Sequence, residues 1–522
     1  MRRLAALALL LLLLAPAARA ETDLSALAAN RFDDVRQGVE ALATSGDPRA
    51  GEILSALQAG ELFADPDGVI YIKHDDKTVR AADGASVEAP EELKPVRVNN
   101  AVRRAVDAAV GSLRLFAPDA SERADAAEAV FHSRDPLVLP VLERAIAGEK
   151  SAGIKRTMEQ ARAATLLTVP DTPDDEKLAA IATLRERGDA EALSVISGVA
   201  DPSPPVASAM ESARSSIEMN LFAWSLGQSV FYGLSLGSVL LLAAAGLAIT
   251  FGVMGVINMA HGEMVMLGAY TTFVVQEAIR GYAPGLFGAS LFISIPLAFL
   301  VSGLVGVAIE RLLLRFLYGR PLETLLATWG VSLVLQQSVR SIFGADNRNV
   351  GTPAWMSGSE QLGGLVITTN RLTIIIFSVL VVGALMAVLR YTSIGLRMRA
   401  VTQNRRMASA MGIRTPWVDA MTFGLGSGIA GMAGVALSQI DNVSPNLGQG
   451  YIIDSFMVVV FGGVGNLWGT VLAALVLGVV NKFLEPVAGA VLGKIVVLLL
   501  LIAFIQKRPR GMFPLKGRAV EA

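Results

Sequence analysis

GLAITFGVMGVINMAHGEMVMLGAY, residues 246–270, sets Asn258, His261 and Glu263 between two apolar runs. Polar side chains at membrane depth are costly, so they line a cavity or pair with one another. Two roles stay open from the residues alone. Asn258, His261 and Glu263 line a solute path; or Glu263 sits at the N-terminus of the second run, favoured by the helix dipole, while Asn258 and His261 satisfy loop amides.

Working outward, the chain from residue 226 onward is a succession of apolar runs of bilayer length. They lie near 226–251, 263–279, 287–310, 322–343, 372–389, 418–440, 452–483 and 491–505. A bilayer span needs roughly 20 such residues, so about eight spans are expected. With 53% hydrophobic and 17% charged residues and a mean hydropathy of +0.52, bilayer is the default solvent. The net charge of −1 points to no nucleic-acid partner, and the absence of cysteine removes disulfides, thiolate metal sites and cysteine nucleophiles.

Three breaks between the runs are basic. Arg311, Arg315 and Arg320 lie in the first; Arg390, Arg397, Arg399, Arg405, Arg406 and Arg414 in the second, with no acid among them; Lys507, Arg508, Arg510, Lys516 and Arg518 form the tail. By the positive-inside rule all three are cytoplasmic. The intervening segments at 346–349 and 441–454 are neutral or acidic and belong outside. Passing from 441 to 507 then requires an odd number of crossings, yet only two apolar blocks lie between. FGGVGNLWG (461–469) interrupts the first block with Gly462, Gly463, Gly465 and Gly469, so a hairpin of two shorter helices meeting within the membrane is expected there. Such backbone survives only where protein or a wet cavity satisfies its amides, as in the broken helices of transporters. Packing alone is the other reading of any one of these glycines, and it suits the run at 424–434 better.

The other half of the chain is different in character. MRRLAALALLLLLLAPAARA (1–20) has the charged start, apolar core and small-residue cleavage site of a secretory signal, which places the region after residue 20 outside the cytoplasm. Residues 21–220 are charged and Ala-rich. Within them 39–61 repeats at 127–149 without a gap, and more loosely at 179–200. Each copy reads as two helices around a turn, with Asp47-Pro48 and Asp135-Pro136 at cap and first-turn positions. Stacked pairs imply a HEAT-like helical domain. GVIYIKHDDKTVR (68–80) reads as a hairpin. His74 and His132 have no metal-ligand spacing, so no metal site is expected.

No catalytic motif is present: GAVLGKI (489–495) is one residue too short for a phosphate loop, and HGE (261–263) lacks the second histidine of a zinc protease. The chain is therefore read as no enzyme and as holding no cofactor.

INMAHGE (257–263) followed by an apolar span resembles the branched-chain amino-acid permease family of ABC importers. YTSIGLRMRAVTQNRRMASAMGI (391–413), FGGVGNLWGTVLAALVLG (461–478) and KRPRGMF (507–513) extend the resemblance over roughly 226–513. Within that family the long N-terminal region, LLATWGVSLVLQQ (325–337) and the stretch 481–511 are most similar to urea permeases. The resemblance implies an all-α polytopic permease domain at 221–513, with a cytoplasmic tail at 514–522, in a bacterial inner membrane. It also implies partners: a second homologous permease, two ATPases that bind the ATP, and an extracytoplasmic solute-binding protein. Branched-chain amino acids or short amides are the alternative solutes, and a membrane-anchored scaffold or receptor the alternative role. On this reading Asn258, His261, Glu263, Thr328, Gln336 and Gln337 are candidates for the path; eight residues turn a helix by about 800°, which sets Thr328 and Gln336 on similar faces. The loop with Gly395, Arg397, Arg399, Arg405, Arg406 and Gly412 is the candidate ATPase-coupling element, a short amphipathic helix; topology alone is the other explanation of its arginines.

Overall fold

The computed structural model describes residues 24–513 apart from positions 30, 46, 75, 76 and 91. The leader expected at 1–20 and the tail 514–522, with Lys516 and Arg518, lie outside the described residues. The chain divides into two compact units between Leu221 and Phe222.

In the first unit helices α1 (Phe32–Ser45) and α2 (Ala50–Ala59) flank the first repeat turn, where the Asp47 carboxylate accepts the Arg49 N–H at 2.8 Å. Strands β1 (Leu62–Ala64), β2 (Ile70–His74), β3 (Lys77–Arg80), β4 (Ser86–Val87) and β5 (Lys94–Pro95) come next, then α3 (Asn100–Leu113), α4 (Ala120–Ser133), α5 (Leu139–Gly148), α6 (Ala152–Leu166), α7 (Asp174–Arg187) and α8 (Ala190–Ser197). The repeats at 127–149 and 179–200 correspond to the pairs α4/α5 and α7/α8. Asp119 and Asp189 cap α4 and α8, and Asp135 caps a short 3-10 turn, Pro136–Val138, that leads into α5. The hairpin expected at 68–80 is present, with β2 and β3 paired from Tyr71↔Arg80 to His74↔Lys77, but the all-α class is corrected: the hairpin grows into an antiparallel sheet of order β4-β3-β2-β1-β5. The extra strands are short and polar, and their partners are set by tertiary contact rather than by a period-2 pattern. One core gathers Leu27, Val39, Leu54, Ile72 and Val106; another gathers Phe131, Leu142, Met158, Leu184 and Ile196.

The second unit takes up the apolar part of α9 (Pro204–Met254) and continues through α10 (His261–Tyr282), α11 (Ser290–Leu312), α12 (Pro321–Phe343), a hairpin of β6 (Ser359–Leu362) and β7 (Leu365–Thr368), α13 (Thr369–Tyr391), α14 (Ser393–Gln403), α15 (Arg405–Ala410), α16 (Thr415–Leu437), α17 (Leu447–Gly462) and α18 (Leu467–Lys507). Among the described residues five helical segments are long and apolar enough to cross a membrane: Pro204–Met254, Pro284–Phe316, Thr369–Tyr391, Thr415–Leu437 and Leu467–Lys507. The remaining expected runs fall short of this length or apolarity for physical reasons. α10 and α12 have the length but carry Glu263, Gln276 and Arg280, or Glu323, Gln336 and Arg340; α17 has only 16 residues. Of the last two expected spans, 452–483 divides between α17 and the first limb of α18 and 491–505 lies in its second limb, since Gly489 (φ 76°, ψ 163°) breaks the helix and a Cβ on Gly493 would touch Leu484.

α9 and α16 are central, with 83% of their most apolar windows buried, against 17% for α18, whose leucines and valines face outward. Glycines let the central helices touch by backbone. A side chain on Gly426 would meet the Gly246 carbonyl of α9, one on Gly268 of α10 the Gly431 carbonyl, and one on Gly434 the Val265 carbonyl. Close backbone approach is what such residues provide in membrane helix packing.

Candidate solute path and coupling face

His261, the first residue of α10, lies beside Ala243 and Gly246 of α9: its Nε2 is 2.9 Å from the Ala243 carbonyl. At 1.5 Å per residue, Ala243 is about 16 Å from the end of α9, so residues 255–260 run back along the helix before α10 starts. Gly246 in turn touches Gly426, the middle residue of α16. α10 thus begins halfway along its neighbours. α17 begins at the same level, because Gly448 packs on the backbone of Gly262 and Glu263 so closely that neither glycine has space for a side chain.

The non-helical backbone at that level is held by side chains. Asn258 Oδ1 accepts the Ala260 N–H at 3.0 Å, and Thr328 Oγ1 of α12 accepts the Met259 N–H at 3.1 Å. Glu263 does not cap α10: its Oε1 accepts from Gln336 Nε2 at 2.7 Å and Ser332 Oγ at 2.9 Å, both on α12. Gln336 Oε1 accepts from Gln449 of α17 at 3.3 Å. A hydrogen-bonded line therefore runs from the exposed Gln449 inward to Glu263, which is 1% exposed, as are Asn258 and His261. Asn258 Nδ2, His261 Nδ1 and Glu263 Oε2 have no protein partner, an uncommon state for buried polar atoms.

Five of the six path candidates therefore meet in one region. Gln337 does not: it is exposed, one residue and about 100° round α12 from Gln336. Ser332 and Gln449 were missed. Ser332 was legible as the residue between Thr328 and Gln336 on one face, whereas nothing local marks Gln449.

The break at 463–466 is real but lies elsewhere than expected. Gly463 (φ +104°) and Gly465 (φ +80°) make the turn, and Gly462 packs on Gly469. A Cβ on Gly252, near the end of α9, would touch Gly465; Leu467 and Gly465 share a cleft with Arg399 and Gln403 of α14. The turn is at the basic end of the bundle, and the halfway breaks are the segments before α10 and α17. The C-terminal segment completes the turn. Met512 and Phe513 donate their N–H groups to the Phe461 and Gly462 carbonyls at 2.9 and 3.2 Å, and Asn466 Nδ2 donates to the Phe513 carbonyl at 3.1 Å.

The basic loop folds as two short helices, α14 and α15. Gly395 lies in the first turn of α14 against the Leu389 backbone, where no side chain fits, and Gly412 (φ +84°) comes just after α15. Arg397, Arg399 and Arg406 are exposed; Arg399 donates to the Leu389 carbonyl. Arg405 is not a free surface charge. Its guanidinium spans both oxygens of Asp419, which is fully buried in the first turns of α16, with Nη1 to Oδ1 at 3.1 Å.

In the first unit Glu128 and Glu191 come within 3.9 and 3.4 Å of His132, company that spacing did not reveal. Arg187 lies 2.5 Å from Glu128 and 3.9 Å from Glu191, so the group already holds a cation. His74 pairs with Glu61 at 3.0 Å.

Residues 229–505 match the family described as branched-chain amino acid transport system, permease component. Among relatives, the high-affinity branched-chain amino acid transport system permease protein LivH of Salmonella typhimurium is 32% identical over 295 residues, covering 55% of this chain and 94% of the relative. The corresponding protein BraD of Pseudomonas aeruginosa is 29% identical over 292 residues, 55% of this chain and 94% of its own. The ribose import permease protein RbsC of Bacillus subtilis is 28% identical over 136 residues, 24% of this chain and 42% of its own. No solved structure matches. With more than half its length inside the family match, this chain belongs to the permease components of branched-chain amino acid transport systems, a multi-pass membrane transport subunit and not an enzyme.

Proposed function

We propose that this chain is one of two homologous permeases in an ATP-driven bacterial importer, working with two ATPases and an extracytoplasmic solute-binding protein. Its basic end faces the cytoplasm of the inner membrane, and the first unit, a HEAT-like array, is exported. One observation carries the reading: α10 and α17 start halfway along the bundle with their N-termini together, beside the buried line Gln449–Gln336–Glu263. Positive helix ends favour an anionic group, as in transporters whose broken helices hold a substrate carboxylate. The Glu263 carboxylate, with one oxygen unpartnered, favours a cationic or N–H group. Together they suit a small zwitterion, and LivH and BraD are described as permeases of branched-chain amino acid transport systems.

Urea is the second reading. It is supported by the segments 325–337 and 481–511, and by the pairing of an unpartnered donor, Asn258 Nδ2, with an unpartnered acceptor, Glu263 Oε2. The named relatives lend it no support. Uptake of labelled leucine and labelled urea at low concentration, in a host with and without the gene, separates the two. Loss of leucine uptake alone is expected; loss of urea uptake alone reverses the order, and loss of neither defeats the importer reading.

A further inference from the structure

The importer reading leaves open how force at the short basic helices reaches the halfway breaks. We propose that Asp419 is the positioning residue that makes α16 follow α15, and that the Arg405–Asp419 pair is the latch through which ATPase movement is delivered. The inference rests on the importer reading.

α15 is six residues long and is succeeded by the left-handed Gly412, so its backbone alone is a weak lever. Its firm attachment is Arg405, whose two terminal nitrogens meet the two oxygens of Asp419. Such a fork is directional as well as strong. Asp419 is wholly buried, so drawing Arg405 away would strip a buried carboxylate of its ion-pair partner, a heavier cost than moving the helix. The pair has support on its other side. The Arg405 guanidinium lies 5.0 Å from the Tyr318 ring, whose hydroxyl donates to the buried Glu310 at 2.8 Å; Arg311, 3.6 Å from Glu310, lies 5.3 Å from the Trp417 ring. The end of α11, the connection after it and the start of α16 are thus tied at one polar knot.

From there α16 has nowhere to absorb a displacement. Its contacts with α11 and α10 are extensive, and Gly426, Gly431 and Gly434 bring it backbone to backbone against α9 and α10. Gly434 meets Val265 and Ala269, within two turns of Glu263. A shift of Asp419 is transmitted as a rigid shift of α16 to the residues that bear on the path.

The test uses the whole complex, with its ATPases and binding protein, in proteoliposomes, reading solute taken up per ATP hydrolysed. D419N should lower that ratio about tenfold, within the 5–150-fold range of coupling between linked sites. R405K, which keeps the charge and loses the fork, should fall between D419N and wild type. Should D419N fail to assemble, R405Q/D419N decides, because it removes both charges of the pair together and leaves neither without its partner. Reduced uptake per ATP with an unchanged thermal midpoint of the purified complex supports the latch, and so does recovery in the exchanged pair R405D/D419R. A wild-type ratio in R405Q/D419N overturns it while leaving the importer reading intact. Absence of ATP-driven uptake by the wild-type complex overturns both.

Discussion

Glu263 shows how one residue decides between two readings of a segment. As a cap it would have bonded the first N–H groups of its own helix; instead both bonds to Oε1 come from α12. Glu263→Gln keeps an acceptor but removes the charge. A hydrogen bond to a charged group contributes about 1.5–3 kcal/mol, so uptake should fall at least about tenfold with the protein still inserted, as a transport assay beside an immunoblot of membranes would show. Gln337→Ala should leave uptake within about twofold, because that side chain is exposed and turned about 100° away from Gln336 on α12. Equal losses in the two variants would remove Glu263 from the path. The residues themselves were legible, since buried polarity in an apolar setting is conspicuous in any sequence. Their connections were not: Gln336 is far from Glu263 in the chain, and no local period encodes a contact across helices.

At the scale of elements, apolar runs located the long helices of the second unit, because bilayer thickness imposes a length. What they could not give was depth. Counting crossings required a break between 441 and 507, and the glycines of 461–469 drew attention to the turn at the basic end. The backbone that leaves the helix halfway is instead at 255–260 and before Leu447, in segments with few glycines, where Asn258 and Thr328 side chains replace the missing helical partners. The C-terminal strap was equally hidden, being a polar tail by composition. Removing residues 510–522 frees the Phe461 and Gly462 carbonyls, and each buried unsatisfied group costs about 1–3 kcal/mol, so the thermal midpoint in detergent should drop measurably. An unchanged midpoint would show that water replaces the strap.

The first unit has an electrostatic staple of its own between α4 and the end of α5. Arg123 donates to Glu149 at 2.7 Å, and with the Ser151 N–H it holds the Glu149 carboxyl down at about 2, against an ordinary value of 4.5. A lowered folded-state value stabilises above the unfolded one and is lost as the pH falls toward it. Protection of amide hydrogens in residues 120–151 should therefore be flat above pH about 5 and decline between about 4.5 and 2, in keeping with the linkage of proton binding to folding. Arg123→Ala should flatten that decline; hydrogen exchange on the full chain reads both.

For the whole molecule, the claim that matters is which way it is threaded. Arg390, Arg397, Arg399, Arg406 and Arg414 gather around α14 and α15 at the end of the bundle where Lys507, Arg508 and Arg510 return to the turn at Gly463. One end is thus strongly basic, and the positive-inside rule directs such an end to the cytoplasm. The loop bearing Asn442, between α16 and α17, belongs to the opposite end, and an odd number of crossings then separates it from Lys507: α17 and the two limbs of α18. The chain contains no cysteine, so single cysteines report without background. Arg406→Cys, Asn442→Cys and Ser55→Cys, all at exposed positions, should divide under a membrane-impermeant thiol reagent: positions 442 and 55 labelled in intact spheroplasts, position 406 only after lysis. Labelling of position 406 from outside would put the Arg405–Asp419 latch on the side without ATP, and no importer driven through α15 could then operate.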